Sequence, residues 1–337
     1  MSENFAAEAD RKRHLLTLIL AFAAVYIIWG STYLAIKYAI ETMPTFLMAA
    51  FRFLIAGSLL YVWARFSKNY EKPKLVHWRT GLIVGTLLLG IGNGGVVLAE
   101  HYISSSLAAL LVATTPFWIV LLGWMFMKTG RPNLKVVAGL ALGFIGVYTL
   151  IAGGEEQAGE SNGGQLFGIA LILFATLGWS IGSLYGTRAP TAKSPILAAA
   201  LQMLSGGFVL LIVGTLAGEW STVDIAAVSL NSWLAFAYLI TFGAFVAYTA
   251  YSWLLRNASP SALSTYAYVN PAIAVVLGWA IAGESMTGQM LIGAGIIVAS
   301  VALITLNRSK PEAAEPEPES EASTLSPADR PGFSTSG

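Results

Sequence analysis

The chain contains no cysteine, which excludes disulfides, thiol nucleophiles and cysteine-held metals, though redox compartment cannot be read from that absence. Histidine is almost as scarce. His14, His77 and His101 fall at the edges of apolar stretches or in loops, too far apart in sequence pattern to form one catalytic or metal cluster. Charge is thin as well. Charged residues are 11% of the 337-residue chain, against about 25% in ordinary soluble domains. The net charge of +1 comes with no basic, aromatic-rich segment, so nothing points to nucleic acid as a partner. What fills the space is apolar: 56% hydrophobic residues and a mean hydropathy of +0.68 make lipid the expected solvent.

Apolar stretches of about 20 residues, the length that crosses a bilayer's hydrocarbon core, recur ten times. They lie near 15–36, 46–66, 80–99, 104–126, 134–152, 166–187, 195–217, 231–254, 261–282 and 289–307. The first follows Arg11, Lys12 and Arg13 but is too long for a signal peptide and lacks a clear small-residue cleavage site. It reads as a retained helix. Lys and Arg collect in loops that stay in the cytoplasm. With the N-terminus inside, 17 of the 19 basic residues fall on cytoplasmic segments, and Glu41, Glu100, Glu155, Glu156, Glu160, Glu219, Asp224 and Glu284 on the other side. The exceptions are Lys37 and Arg52. The expected organisation is a cytoplasmic segment 1–14, a five-helix unit 15–152, a periplasmic linker 153–165, a second five-helix unit 166–307 and a tail 308–337. The tail, rich in Pro, Glu and Ser, is expected to be disordered, as are roughly the first ten residues.

The two units repeat each other. "IIWGSTYLAIK" (27–37) is echoed by "TLGWSIGSLYG" (176–186), with Trp29 and Trp179 150 positions apart. "FLMAAFRFLIAG" (46–57) aligns at the same offset with "ILAAALQMLSGG" (196–207), setting Arg52 opposite Gln202. At an offset of 155, "SLAALLVATTPFWIVLLGW" (106–124) matches "SALSTYAYVNPAIAVVLGW" (261–279), with Pro116 over Pro271. Further on, Gly139 falls on Gly293 and Gly146 on Ser300. Five spans per unit is odd, so the second unit would enter the membrane from the opposite side. The expected fold class is therefore all-α integral membrane: ten transmembrane helices as two inverted five-helix repeats, with both termini cytoplasmic. Inverted repeats mark secondary transporters, whose substrate site lies near the midplane between the halves.

These residues carry a resemblance. "IIWGSTY" in the first span, "FRFLIAG" in the second, "GNGGVVLAEH" (92–101) and "YAYVNPAIAVVLGWAIAGE" (266–284) are similar to the drug/metabolite transporter superfamily, and to its EamA-type drug/metabolite exporters in particular. The resemblance covers essentially residues 15–307. It implies a bacterial inner-membrane exporter of amino acids or other small metabolites that works by alternating access. One departure is the end of the fourth span, "FMKTG", where the second unit has "IAGES". Glu284 then has only Thr129 as its repeat counterpart.

Candidate pathway residues follow from helix geometry. Tyr26, Trp29, Tyr33 and Lys37 are spaced to share one helix face, and Thr176, Trp179, Ser183 and Thr187 form the matching stripe. Trp29, Tyr33, Trp179 and Ser183 are expected to line a shared cavity. Asn93 and its repeat partner Tyr248 should sit at related depths, there to contact substrate or to bond between helices, and Tyr268 and Asn270, just before the proline of the ninth span and close to Tyr266, are further candidate substrate contacts. Pro116 and Pro271 each remove a helical donor, freeing the carbonyls of Val112 and Ala267, which suits a hinge or a cavity wall. Gly139 with Gly143, and Gly178 with Gly182 and Gly186, suit close helix packing. Arg52 is the one basic residue deep in a span. Glu41 or Glu100 is its expected partner, in a structural pair or gate tether rather than as a substrate ligand. Glu100 and His101 are the groups that could carry protons, so H+ is the coupling ion to consider; solvation at a helix end is the plainer role for both.

The expected function is secondary-active export of amino acids or amphipathic drug-like compounds, with lipid and a small-molecule substrate as partners and no cofactor, metal or enzymatic chemistry. A passive facilitator or channel of the same architecture is the alternative, and an integral-membrane enzyme a more distant one. No feature of the sequence fixes an oligomeric state.

Overall fold

The computed structural model describes residues 2–67, 70–127, 132–152, 162–258 and 266–306. The tail 308–337 and most of the linker lie outside these residues, and so do the loop cations Lys128 and Arg131. Every regular element described is helical. In chain order these are α1 (Ser2–Ile40), α2 (Thr45–Phe66), α3 (Leu75–Gly85), a π segment (Thr86–Asn93) running into α4 (Gly94–Ala99), α5 (Ser105–Val112), α6 (Thr115–Met127) and α7 (Leu134–Ala152). After them come α8 (Asn162–Gly186), α9 (Pro195–Leu216), a 3-10 turn (Glu219–Thr222), α10 (Leu230–Tyr238), a second π segment (Leu239–Val246) running into α11 (Ala247–Asn257), α12 (Tyr266–Ala282) and α13 (Gly288–Leu306).

Among the described residues, seven helices are long and apolar enough to cross a membrane: Arg11–Ile40, Thr45–Phe66, Leu75–Ala99, Ser105–Phe126, Gly163–Gly186, Pro195–Leu216 and Leu230–Tyr251. Shorter apolar helices cover Leu134–Leu150, Val269–Ala282 and Gly288–Ile304. Large apolar side chains such as Leu59, Val62, Phe144, Ile145 and Phe174 stand on the outside, where hydrocarbon rather than water would meet them. One expectation fails at the N-terminus: α1 begins at Ser2 instead of after a disordered lead. The run "FAAEADRKR" explains this, since Ala, Glu, Arg and Lys are strong helix formers.

Lipid supplies no hydrophobic drive between helices, so their association depends on close backbone approach and polar contact. The glycines show where that happens. Gly57 of α2 faces Met203 and Leu204 of α9, Gly207 faces Leu54 and Ala50, and Gly214 faces Leu47. As residue number rises along α2 it falls along α9, so the two helices run antiparallel. The contact is also reciprocal: Gly57 and Gly207, aligned in the repeat, each meet the counterpart of the other's neighbour. The pair α7 and α13 behaves the same way. Gly139 lies against Ser300 and Ile304, and Gly293 against Leu150 and Gly146, with the Ser300 hydroxyl donating to the Gly139 carbonyl. Gly85, where α3 meets the π segment, lets two backbones touch: a Cβ there would strike the Gln202 carbonyl and lie 2.8 Å from the Gly206 nitrogen.

The third apolar helix and its repeat partner each contain an eight-residue π segment. A π turn inserts a residue into the helical ladder and rotates everything after it, a distortion common at functional sites. The prolines behave differently from each other. Before Pro116 the helix breaks, α5 ending at Val112 and α6 starting at Thr115, whereas α12 continues through Pro271. The Val112 carbonyl that Pro116 frees is satisfied locally, by the Thr115 hydroxyl at 2.6 Å.

Candidate functional site

The helices enclose a cavity of about 310 Å³. Spacings of three and four bring one face of each helix to it: Trp29, Thr32, Tyr33 and Ile36 from α1, Ala109, Val112, Ala113 and Pro116 across the break between α5 and α6, and Thr176 and Trp179 from α8. The first π segment contributes Leu89, Gly92 and Asn93, and the second Gly243 and Ala244. Arg52, Tyr248, Tyr251, Tyr266, Asn270 and Pro271 complete the polar and aromatic wall. Both sequence units therefore line one space.

Of the candidates named from sequence, Trp29, Tyr33, Arg52, Asn93, Pro116, Trp179, Tyr248, Asn270 and Pro271 lie on the cavity. Ser183 sits one turn beyond Trp179 and is not on the lining. The side chain of Tyr268 lies outside the described residues. Tyr266, beside Pro271, is on the lining too, while Tyr251, Thr32 and Gly243 are lining residues that the sequence alone does not single out. Thr32 was in principle findable, being three residues from Trp29 on the same face. Gly243 was not: its carbonyl accepts the Trp29 indole N–H at 3.2 Å, and only the π turn presents it there.

Aromatic rings form one wall. Trp29 stands 5.0 Å from Tyr251 and 5.6 Å from Tyr266, and these two tyrosines meet edge to face at 5.9 Å. Tyr248 continues this wall, its ring 6.3 Å from that of Tyr251, and donates to Gln202 Oε1 at 2.9 Å; the Trp118 indole donates to Thr176 at 3.0 Å.

Arg52 departs from its expected role. It is 4% exposed, yet among the described residues no carboxylate lies within ion-pair distance, and its Nε and Nη1 have no hydrogen-bond partner. Its guanidinium lies 4.7 Å from the centroid of Phe53. Glu41 is exposed. Glu100, expected to be solvated at a helix end, is instead buried, with neither carboxylate oxygen hydrogen-bonded. Burial, then the negative charge of Glu284, push its carboxyl well above the usual range, against the pull of Lys37 and Arg52. The Oδ1 atoms of Asn93 and Asn270 are likewise buried without a partner. A lone Arg at mid-bilayer costs about 2.5–3.5 kcal/mol on insertion scales, and such groups are functional by default.

Glu284, which sequence comparison left without a charged counterpart, ties three helices together. Gly283 ends α12 in a left-handed turn (φ 64), folding the chain so that the Glu284 N–H donates to the Gly278 carbonyl at 3.0 Å. The carboxylate then meets the N-terminus of α5, where orphan amides attract anions. Ser105 donates its N–H (3.0 Å) and hydroxyl (2.7 Å), Ser106 donates its N–H (3.1 Å) and hydroxyl, and Lys37 of α1 donates at 2.9 Å. Gly278 makes room, since a Cβ there would strike Ser106 and Glu284. Burial alone would raise this carboxyl, but the bonds from Ser106, Ser105 and Lys37 outweigh it and hold it below the ordinary value of 4.5. Glu219 likewise accepts from the Phe46 and Leu47 amides (2.8–3.0 Å), covering the N-terminus of α2.

The described residues hold no group of three His, Asp or Glu side chains suited to a metal. Comparison with known proteins agrees with transport. The profile of the EamA-like transporter family matches twice, over residues 15–152 and 166–306. An uncharacterized inner membrane transporter of Escherichia coli, YedA, is 40% identical over 88% of this chain and 94% of its own. An uncharacterized transporter of Bacillus subtilis, YvbV, is 28% identical over 88% and 93%. One protein of known crystal structure shares the fold at a TM-score of 0.59 and 18% identity, covering 87% of this chain and 97% of that one.

Proposed function

The chain belongs to the EamA-like transporter family, and from that premise we propose that it is a secondary exporter of small metabolites working by alternating access. It is a multi-pass inner-membrane protein. In this reading all ten apolar helices cross the bilayer, as two five-helix halves of opposite orientation. The antiparallel, reciprocal packing of α2 on α9 and of α7 on α13 supports that arrangement. Basic residues on the loops orient both termini to the cytoplasm. The ends bearing Glu41, Glu100, Glu219 and Glu284 then face the periplasm.

The observation that carries the proposal is the cavity, a single space walled by both halves. Its aromatic and hydroxyl lining suits amino acids or amphipathic drug-like compounds. Rocking of the halves would open it to each side in turn. Two features fit a moving part: the helix break before Pro116 and the paired π segments. On the periplasmic side, the Glu284 tie joins α12 of the second half to α1 and α5 of the first, and so resists opening outward. Glu100, buried beside this tie, is the group placed to take up a coupling proton.

Export is tested by overexpression. Cells carrying the wild type should tolerate more of a transported amino acid, analogue or drug, and Trp29→Ala and Trp179→Ala should abolish that tolerance while the protein still reaches the membrane. Unchanged tolerance in both variants would remove these residues from the pathway. Accumulation against a gradient when a pH difference is imposed separates the exporter from a passive facilitator.

A further inference from the structure

We propose that the cavity selects cargo carrying a carboxylate, held by the Arg52 guanidinium, with the Asn93 and Asn270 amides meeting the hydrogen-bonding group beside it. The inference rests on the exporter reading above and deepens it by naming the substrate's chemical class.

A comparison within the chain carries it. Arg52 and Gln202 are repeat counterparts, and so are Asn93 and Tyr248. In the second half the pair is closed: the Tyr248 hydroxyl donates to Gln202 at 2.9 Å. In the first half the equivalent positions hold Arg52 and Asn93, and these do not bond each other; the guanidinium Nε and Nη1 and the amide Oδ1 are buried with no partner among the described residues. A fourth such atom, Asn270 Oδ1, belongs to a residue on the same cavity lining. Buried polar groups in native proteins are nearly always hydrogen-bonded, and each exception calls for an explanation.

Nε and Nη1 lie on different edges of the guanidinium, each beside Nη2, so a carboxylate can be met at either edge with parallel, charge-assisted bonds, a fit that phosphate shares and that the test below separates. Glu100, the acidic group whose charge acts on Arg52, does not reach ion-pair distance. The wall of Trp29, Tyr251 and Tyr266 would hold the apolar body of the same molecule. A buried polar site of this kind rejects analogues lacking the matching group far more strongly than an apolar pocket rejects a change of size.

The test uses the purified full-length protein in proteoliposomes, with acid and amide pairs as probes: L-phenylalanine against L-phenylalaninamide, L-leucine against L-leucinamide, and phenylacetate against phenylacetamide. Inorganic phosphate serves as the competing anion. The wild type is expected to move at least one acid ten-fold or more faster than its amide, with phosphate a poor competitor. Arg52→Gln should lower the acid's rate far more than the amide's, bringing the ratio of the two rates to about one. Arg52→Lys, which keeps the charge but not the fork, should give an intermediate ratio and guards against misfolding of the first variant. Equal rates for acid and amide, an acid preference that survives Arg52→Gln, or displacement by phosphate as strong as by the acids would overturn the carboxylate assignment and leave the exporter standing. No movement of any probe by intact protein would overturn the assignment together with the exporter reading beneath it.

Discussion

Truncating Glu284 to Ala measures how much one carboxylate contributes to joining the two halves. In the folded protein it accepts five hydrogen bonds, from the amides and hydroxyls of Ser105 and Ser106 and from Lys37. The hydroxyls can turn to other acceptors, and Lys37, with its side chain a third exposed, can return to water. The loss then falls on the two amides at the start of α5, each left unpaired at about 1–1.5 kcal/mol. The partly exposed ion pair adds about 0.5 kcal/mol. The sum is roughly 3 kcal/mol, near the lower end of the 3–5 kcal/mol typical for breaking a buried pair. In thermal unfolding of the detergent-solubilised protein this corresponds to a fall in Tm of roughly 5 °C, at about 1.6 °C per kcal/mol for about 300 folded residues. Lys37→Met removes only the exposed partner and should cost no more than about 1 kcal/mol. The pH dependence has a definite sign. A carboxyl held below its ordinary 4.5 stabilises the fold above that pH, and its contribution drains away as pH falls through the lower folded value. Wild-type Tm should therefore drop more steeply below pH 4.5 than that of Glu284→Gln. Equal effects of Glu284→Ala and Lys37→Met, or parallel acid profiles for wild type and Glu284→Gln, would refute the claim that this carboxylate holds the α5 N-terminus.

Other substitutions probe neighbouring contacts. Gly278→Ala inserts a methyl between Ser106 and Glu284 and should destabilise by about 1–3 kcal/mol, the usual range for overpacking; a Tm close to that of wild type would show that α5 and α12 can spread. Gly85→Ala drives a methyl into the Gln202 carbonyl, where backbone cannot yield as a side chain tip can, so a similar or larger loss is expected in the same assay. Glu219→Ala uncovers the Phe46 and Leu47 amides and should cost about 0.5–2 kcal/mol as a lost helix cap, with Glu219→Gln recovering part of it. Glu100→Gln acts in the opposite sense to Glu284→Gln. A carboxyl pushed up by burial favours the fold only while protonated, so wild-type Tm should decline as pH rises from the ordinary carboxylate range toward the higher folded value. The amide should flatten that decline, and a slope that survives Glu100→Gln would place the titrating group elsewhere.

The sequence revealed these features unevenly, and the reasons are physical. Helix positions were readable because a bilayer demands long unbroken apolar runs; Thr45–Phe66 and Pro195–Leu216 match the stretches expected near 46–66 and 195–217 to within a residue or so. The face bearing Trp29 and Tyr33 was readable because semi-polar side chains at a spacing of three to four are costly in lipid unless they share a destination. The π segments were hidden, since Thr86–Asn93 and Leu239–Val246 contain nothing that ordinary α-helix would refuse. Their consequence, the presentation of the Gly243 carbonyl to Trp29, was hidden with them. The start of α1 departs from expectation because helix propensity extends the first span into sequence of low hydropathy without any help from lipid.

Pairing was the least legible property of all. Arg52 looked as though it needed a carboxylate from its own half, and Glu100 stood at a suitable distance along the chain. In the fold, Lys37 is engaged by Glu284 from the other half, and Glu100 is drawn towards neither cation closely enough to bond. Whether a buried charge is satisfied depends on which helices the two halves bring together, and that depends on antiparallel contacts such as Gly57 on Leu204 and Gly207 on Leu54, more than a hundred residues apart. A tie that joins the halves and a cation left without a carboxylate between them are two outcomes of the same packing: helices α1, α5 and α12 converge tightly enough at one end for Glu284 to be saturated. Further in, α1 and α12 still touch, Gly30 lying against Asn270 and Ile273, and Trp29, Asn270 and Pro116 share the cavity lining with Arg52.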